Sequence, residues 1–195
     1  MATQREGYTY DELKDADYAE VVVDLPADVR ETVRACVRRD EENTDPAVFD
    51  GKCYETRPHV TIALKLDPRS PKAATVAAVE ALPFRGVDVL VAEPGVFRNA
   101  THDVVHLAVA CGKDEPIRRL HAAVHEAEGA KWPYSAVRLH VTLAYVKPGK
   151  GDAVAERLSP LVRDLRLHVD RVVFRPFSDA RATADNTTAV RIGIP

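Results

Sequence analysis

The sequence has 195 residues, of which 46% are hydrophobic and 29% charged, enough for a globular protein with its own core. The net charge of -3 argues against long duplex nucleic acid as a partner, because proteins that wrap duplexes usually present a basic face. A small phosphorylated ligand needs only a local positive site. Three widely spaced cysteines (Cys36, Cys53 and Cys111) do not form a disulfide framework and favour a reducing, cytoplasmic location.

The N-terminal residues 1–17 are polar and acidic, and we expect them to form a solvated tail. They lack the apolar stretch of a signal peptide, and the sequence has no apolar run of 18 residues that would span a membrane. Residues 18–195 contain no linker rich in Gly, Ser or Pro. We therefore expect one domain, monomeric and without a membrane partner.

The predicted elements form two similar runs of strands and helices, assigned from β-branched or alternating residues and from apolar residues at helical spacing. The first run has a strand at 18–25, a helix at 26–39, a polar loop at 40–56, a strand at 57–66, a helix at 70–82 and a strand at 87–91. The second run has a strand at 103–111, a helix at 114–128, a loop at 131–135, a strand at 138–145, a helix at 152–165, and closing strands at 167–174 and 188–194.

Local signals set several of these boundaries. Asp24 and Ser70 are the expected N-caps of the first two helices, with Pro71 at the first helical position of the second. Pro94-Gly95 is expected to turn the chain, and Gly129 is expected to end a helix. A repeated element order this long indicates a duplicated lobe, with helices outside sheets whose inner faces meet.

One short stretch occurs in both runs, as RPHVTIAL at 57–64 and as RLHVTLAY at 138–145. Both copies alternate polar and apolar residues, and residues two apart in a strand point to the same face. His59 therefore shares a face with Thr61, and His140 shares a face with Thr142. A pseudo-twofold axis would bring both pairs into one cleft.

These paired Arg-x-His-Val-Thr-(Ile/Leu)-Ala motifs resemble those of the 2H phosphoesterase superfamily, which includes the 2'-5' RNA ligase-like proteins and the 2',3'-cyclic nucleotide phosphodiesterases. The resemblance covers about residues 18–194. It implies a bilobal α+β fold in which two antiparallel-rich sheets face a central cleft. It also implies a catalytic set of His59, Thr61, His140 and Thr142, with no metal and no other cofactor.

These residue types suit the cleavage of a phosphodiester. One neutral and one protonated imidazole can act as base and acid near neutral pH, and two hydroxyls can stabilise charge on the phosphoryl oxygens. The expected substrates are nucleotides or RNA ends: 2',3'-cyclic phosphate ends, 2'-5' oligonucleotides or cyclic oligonucleotide signals. The sequence does not distinguish the acid from the base.

Two other functions remain open. The same cleft can bind a nucleotide or RNA end without turnover. His121 and His125, four residues apart on a helix, have the spacing of metal ligands, but the His-Glu-x-x-His pattern and a third ligand are missing. A role at the protein surface or at the end of the helix is the favoured interpretation of this pair.

Further substrate-binding residues follow from position alone. Arg57 and Arg138 each lie two residues before a motif histidine. Each arginine either binds a phosphate of the substrate or lies at the solvent-exposed end of its strand. Tyr54, Trp132 and Tyr134 lie in the loops before the two motifs, as base-stacking residues or as local anchors. Tyr145 is out of phase with His140 and belongs to the core unless a bulge intervenes.

Overall fold

The computed structural model describes residues 19–36, 57–110, 115–129, 137–162, 165–177 and 186–193. The helices of these residues are α1 (Ala27–Cys36), α2 (Ala73–Glu80), α3 (Pro116–Glu128) and α4 (Gly151–Val162). The strands are β1 (Ala19–Asp24), β2 (His59–Leu66), β3 (Val87–Arg98), β4 (Asp103–Ala110), β5 (His140–Val146), β6 (Arg166–Val169), β7 (Arg171–Pro176) and β8 (Thr188–Arg191). None of the helices in these ranges is long and apolar enough to cross a membrane. The predicted tail at 1–17 lies outside the described residues.

The strands hydrogen-bond in the order β6-β3-β4-β5-β2-β1-β7-β8, and every pairing is antiparallel. Two four-stranded halves meet where β2 pairs with β5. At this junction, Val60 lies opposite Val141. We call β2-β1-β7-β8 the His59 half and β5-β4-β3-β6 the His140 half. The predicted α+β class with antiparallel-rich sheets is confirmed.

The helices cover the sheet on its apolar side. α3 contacts β2 and β3, α4 contacts β3 and β4, and α2 packs on α3. Valine and leucine side chains of the sheet and the helices are fully buried together, which removes apolar surface from water and provides the main stabilising term. The opposite side of β2 and β5, which carries the motif histidines, is called the histidine face below.

The order strand-helix-strand-helix-strand occurs twice, as predicted, but the two runs do not coincide with the two halves of the sheet. β3 follows α2 in the first run and pairs with β4 in the His140 half. β7 and β8, at the end of the chain, complete the His59 half by pairing on β1. The His59 half is therefore built from the two ends of the described chain, whereas the His140 half comes from its middle, β3 to β6.

Two predicted N-caps are wrong. Asp24 is the last residue of β1, and α1 begins three residues later, so the Asp24 carboxylate instead pairs with Arg57. α2 begins at Ala73 with Lys72 as its N-cap, and Ser70 Oγ donates to Glu128 at 2.9 Å. In both places a carboxylate–donor contact with a distant part of the chain replaced the local cap.

Two predicted strand ends are also wrong. Pro94 and Gly95 do not turn the chain but lie inside β3, where a shift in register between Val91 and Pro94 accommodates the proline. The turn follows at Asn99, whose N–H donates to the carbonyl of His102. The strand expected at 167–174 is divided at Asp170 into β6 and β7, which pair in different halves. Gly129 ends α3 in the left-handed conformation, as predicted.

A β-bulge follows each His-x-Thr motif at the same place. Val22 opposes Thr61 while Val21 opposes Ala63, so Ile62 is the extra residue in β2. His106 opposes Thr142 while Val105 opposes Ala144, so Leu143 is the extra residue in β5.

The bulge in β5 shifts the alternation by one residue. Ala144 is fully buried beside Leu143, and Tyr145 returns to the histidine face, half-buried. Its ring centroid lies 6.0 Å from that of His102. The placement of Tyr145 in the core, which assumed an unbroken strand, is wrong for this reason.

Candidate active site

The two His-x-Thr motifs meet at the junction of the halves. In an antiparallel pair centred on Val60 and Val141, the flanking positions place His59 opposite Thr142 and Thr61 opposite His140. All four side chains are half-buried on the histidine face. The arrangement brings two imidazoles and two hydroxyls to the same place from strands 81 positions apart.

Both histidines are held in the same way. Nδ1 of His59 donates to the carbonyl oxygen of Arg57 at 2.7 Å, and Nδ1 of His140 donates to the carbonyl oxygen of Arg138 at 2.7 Å. A carbonyl accepts but cannot donate, so each neutral ring carries its proton on Nδ1. Nε2 is then the nitrogen that can accept a proton from a substrate or, in the charged ring, donate one.

Aromatic rings surround His140. Phe97 of β3 stacks on His106 of β4, with centroids 3.6 Å apart and planes 11° apart, and both rings meet His140 edge-on at 5.0 and 5.5 Å. Glycine at position 95 leaves room for this packing, since a Cβ there would lie 3.1 Å from the His106 ring, an unusually tight contact. His140 therefore lies against an apolar wall.

This wall changes the protonation of two histidines. Burial, together with a smaller effect of the charge of a protonated His140, outweighs the hydrogen bond to the Val104 carbonyl and lowers the pKa of His106 to about 4. Burial also lowers the pKa of His140, with a smaller contribution from the charge of His59. Both rings are therefore neutral at pH 7.

A pocket of about 360 Å³ opens beside His140. Phe97 and His106 form one side of it, and Arg118 of α3 and Arg138 contribute two guanidinium-bearing side chains. Its other lining residues are aliphatic. The pocket has the size of a small-molecule site and reaches the catalytic candidate directly.

Charged residues surround His59 instead. Glu20 and Arg175 are direct partners on β1 and β7, their side chains are 3% and 1% exposed, and Arg175 Nε donates to Glu20 Oε1 at 2.8 Å. Arg175 Nη2 lies 3.2 Å from His59 Nδ1. Arg57 donates to Asp24 at 3.0 Å, and Asp24 lies 3.7 Å from Arg175. Two guanidiniums and two carboxylates thus form one network beside His59.

The predicted substrate-binding residues have different placements. Arg57 belongs to the network beside His59, and Arg138 is exposed and lines the pocket. The three aromatic residues expected to stack on bases lie outside the described part of the chain: Tyr54, Trp132 and Tyr134.

His121 and His125 lie on α3, with ring centroids 4.3 Å apart and planes 29° apart. Burial, together with the charges of His125 and Arg118, lowers the pKa of His121 to about 4. Among the described residues, no group of three His, Cys, Asp or Glu side chains has the arrangement of a metal site. Within these described residues, His121 and His125 are therefore not joined by a third side chain that could complete a metal site.

The residues that surround the two motif histidines were not predicted from the sequence. A buried charge inside the apolar strand AEVVVD was a usable signal for Glu20, since such a residue needs a partner. His106 and Phe97 gave no comparable signal, because their place in the site depends on the register of β3, β4 and β5.

Comparisons with known proteins agree with this geometry. A family model described as the 2'-5' RNA ligase superfamily matches residues 25–180. Kluyveromyces marxianus Usb1 with uridine monophosphate is 10% identical, with a TM-score of 0.52 over 90% of this chain and 98% of that one. Escherichia coli LigT complexed with NADP+ is 16% identical, with a TM-score of 0.51 over 90% and 94%. These structures share the fold. No curated protein sequence matches the chain.

Proposed function

The chain belongs to the 2'-5' RNA ligase superfamily of 2H phosphoesterases, and we propose that it is a metal-independent phosphodiesterase acting on cyclic-phosphate or 2'-5'-linked nucleotides. The observation that supports this most directly is the meeting of two His-x-Thr motifs, in opposite directions, at the β2–β5 junction. Two imidazoles and two hydroxyls there match the needs of in-line displacement at phosphorus.

The surroundings of the histidines favour different roles. His140 is neutral at pH 7 because burial lowers its pKa, which suits a general base. His59 lies beside the network of two carboxylates and two guanidiniums and supplies the general acid. Nε2 is the reacting nitrogen in both rings, because each Nδ1 is engaged with a backbone carbonyl.

The proton balance is the same for both substrate classes. For a cyclic phosphate, His140 removes a proton from water, the water oxygen bonds to phosphorus, and His59 protonates the ribose oxygen that leaves. For a 2'-5' linkage, the attacking oxygen is the neighbouring 3'-hydroxyl, the leaving group is the 5'-oxygen, and a cyclic phosphate forms. Thr61 and Thr142 donate hydrogen bonds to the non-bridging oxygens as charge develops on them.

The remaining predicted residues contribute to substrate binding in this proposal. Arg138 binds substrate through the pocket beside His140, and Arg57 contributes from the opposite side. Tyr54, Trp132 and Tyr134, which lie outside the described residues, are proposed to stack on bases. Nucleotide substrates are supported by the ligands in the solved structures: uridine monophosphate with Usb1, and 3'-AMP and NADP+ with LigT.

The test is a substrate panel assayed in EDTA. It contains nucleoside 2',3'-cyclic phosphates, 2'-5' and 3'-5' dinucleotides, and cyclic di- and trinucleotides. We expect turnover of at least one 2',3'-cyclic phosphate, 2'-5' dinucleotide or cyclic oligonucleotide by the wild type. His59→Ala and His140→Ala are the matched controls and should bind the same compound but turn it over at least about 100-fold more slowly.

A non-catalytic nucleotide-binding or RNA-end-binding module is the alternative. It would bind members of this panel with unchanged affinity in the wild type and both variants, and with no turnover in any of them. Activity that disappears in EDTA and returns with a divalent cation would instead favour a metal-dependent hydrolase.

A further inference from the structure

Two arginine side chains line the pocket beside His140, within a chain of net charge -3. Arg118 and Arg138 line it from two different elements, α3 and the segment before β5. None of the described residues that line it is acidic. His106 stays neutral at pH 7, since burial lowers its pKa to about 4, so the two arginines supply the charge.

Guanidinium groups on a largely apolar wall suit a phosphate group better than a nucleobase alone. Arginine presents paired N–H donors that match phosphate oxygens, and such hydrogen bonds strengthen where water is partly excluded. In the proposed mechanism, the threonines of the two motifs bind the oxygens of the reacting phosphoryl group. Arg118 lies on α3 and not on a motif strand, so we assign to it a phosphate elsewhere in the substrate.

We propose that the pocket lined by Arg118 and Arg138 binds a second, non-reacting phosphate of the substrate. This inference rests on the proposed function and narrows it. The substrate carries at least two phosphates, as an oligonucleotide or a 5'-phosphorylated end, rather than being a nucleoside 2',3'-cyclic phosphate. The subsite lies on the His140 side, because Phe97, His106 and His140 line the same pocket.

The experiment compares two pairs of compounds that differ by one phosphate. The first pair is adenosine 2',3'-cyclic phosphate with and without a 5'-phosphate, and the second is the 2'-5'-linked diadenosine dinucleotide with and without a 5'-phosphate. In whichever pair is turned over, we expect the wild type to favour the phosphorylated member by about tenfold or more in kcat/KM, mainly through KM. Arg118→Met should reduce this preference to near one, and Arg118→Lys should restore part of it.

Arg119→Met is the matched control, because Arg119 is the next residue of α3, is exposed and does not line the pocket. It should leave the preference unchanged. The subsite proposal is wrong if the wild type has equal kcat/KM for both members of a pair, or if Arg118→Met keeps the preference of the wild type. In either case, the turnover that was measured still supports the proposed function.

Absence of turnover with all four compounds in EDTA would count against the proposed function instead. The dissociation constants of the same compounds, measured by calorimetry for the wild type and Arg118→Met, would then decide the subsite. A tenfold preference for the phosphorylated member that Arg118→Met removes supports it, and equal affinities overturn it.

Discussion

The His59 half and the His140 half present the same motif in opposite surroundings. In both, the histidine donates Nδ1–H to the carbonyl two residues earlier, and a bulge follows the threonine. Beside His140 the sheet carries stacked rings and a pocket, whereas beside His59 it carries a buried ion pair. The shared features hold the two histidines in the same way, and in the proposed mechanism the different features give them different roles.

The equivalent positions show how this difference arises. Phe97 lies on β3, the second neighbour of β5, and Arg175 lies on β7, the second neighbour of β2. One place on the sheet thus holds a ring in one half and a guanidinium in the other. Burial lowers the pKa of His140, whereas His59 lies beside a network of carboxylates and guanidiniums.

The largest effect should come from removing the histidines. We expect His59→Ala and His140→Ala each to lower kcat by about 100- to 10,000-fold, because each removes one proton-transfer group. A nucleoside 3'-(p-nitrophenyl phosphate) separates their roles, since its acidic leaving group needs little protonation. His59→Ala should lose much less rate on this ester than on the true substrate, and His140→Ala should lose about the same on both. The opposite pattern would mean that His140 is the general acid and His59 the general base.

The ion pair of the His59 half should give the next largest effect, measured on stability. Arg175→Met leaves the Glu20 carboxylate buried without its partner and should cost about 3–5 kcal/mol of unfolding free energy. The double variant Glu20→Leu/Arg175→Met should recover most of this stability, because apolar residues replace both charges.

The double variant also tests whether Arg175 positions His59. We expect its kcat to remain about tenfold or more below wild type after stability has recovered, since Nη2 no longer lies against His59 Nδ1. Its KM and the pocket preference should change little. If the double variant has the kcat of the wild type, the network has only a structural role.

The threonines should respond alike in the two halves. Thr61→Val and Thr142→Val each remove one donor to the phosphoryl oxygens and should lower kcat by about 100-fold, with little change in thermal unfolding. Steady-state kinetics on the same substrate measure both. A loss confined to one variant would mean that the phosphoryl oxygens are bound from one half of the site.

The smallest expected effect is on the pH profile. The acid limb of kcat/KM should lie below pH 6.5, because burial lowers the pKa of the base His140. Phe97→Ala admits water to the ring and should move this limb up towards 6.5. Phe84→Ala, which truncates a partly buried ring packed on the core, is the control and should leave the limb in place. A limb that is at 6.5 in the wild type would contradict the assignment of His140.

The sequence predicted the pairing of His59 with Thr61 and of His140 with Thr142, because alternation in a strand is a local property of the backbone. The repeated order of strands and helices was predictable for a similar reason. The prediction for Tyr145 failed at a single residue, Leu143, where an unrecognised bulge changes the alternation.

Only the tertiary structure decided what surrounds each histidine. β3 belongs to the first run in sequence but pairs with β4, which places Phe97 over His106. Arg175 contacts Glu20, although it lies 155 positions further along the chain. Local propensities carry no information about such pairings, since they are selected by burial and register across the whole sheet. The sequence by itself therefore determined the four candidate catalytic side chains and their shared face. The differences between the two halves followed from which strands packed beside them.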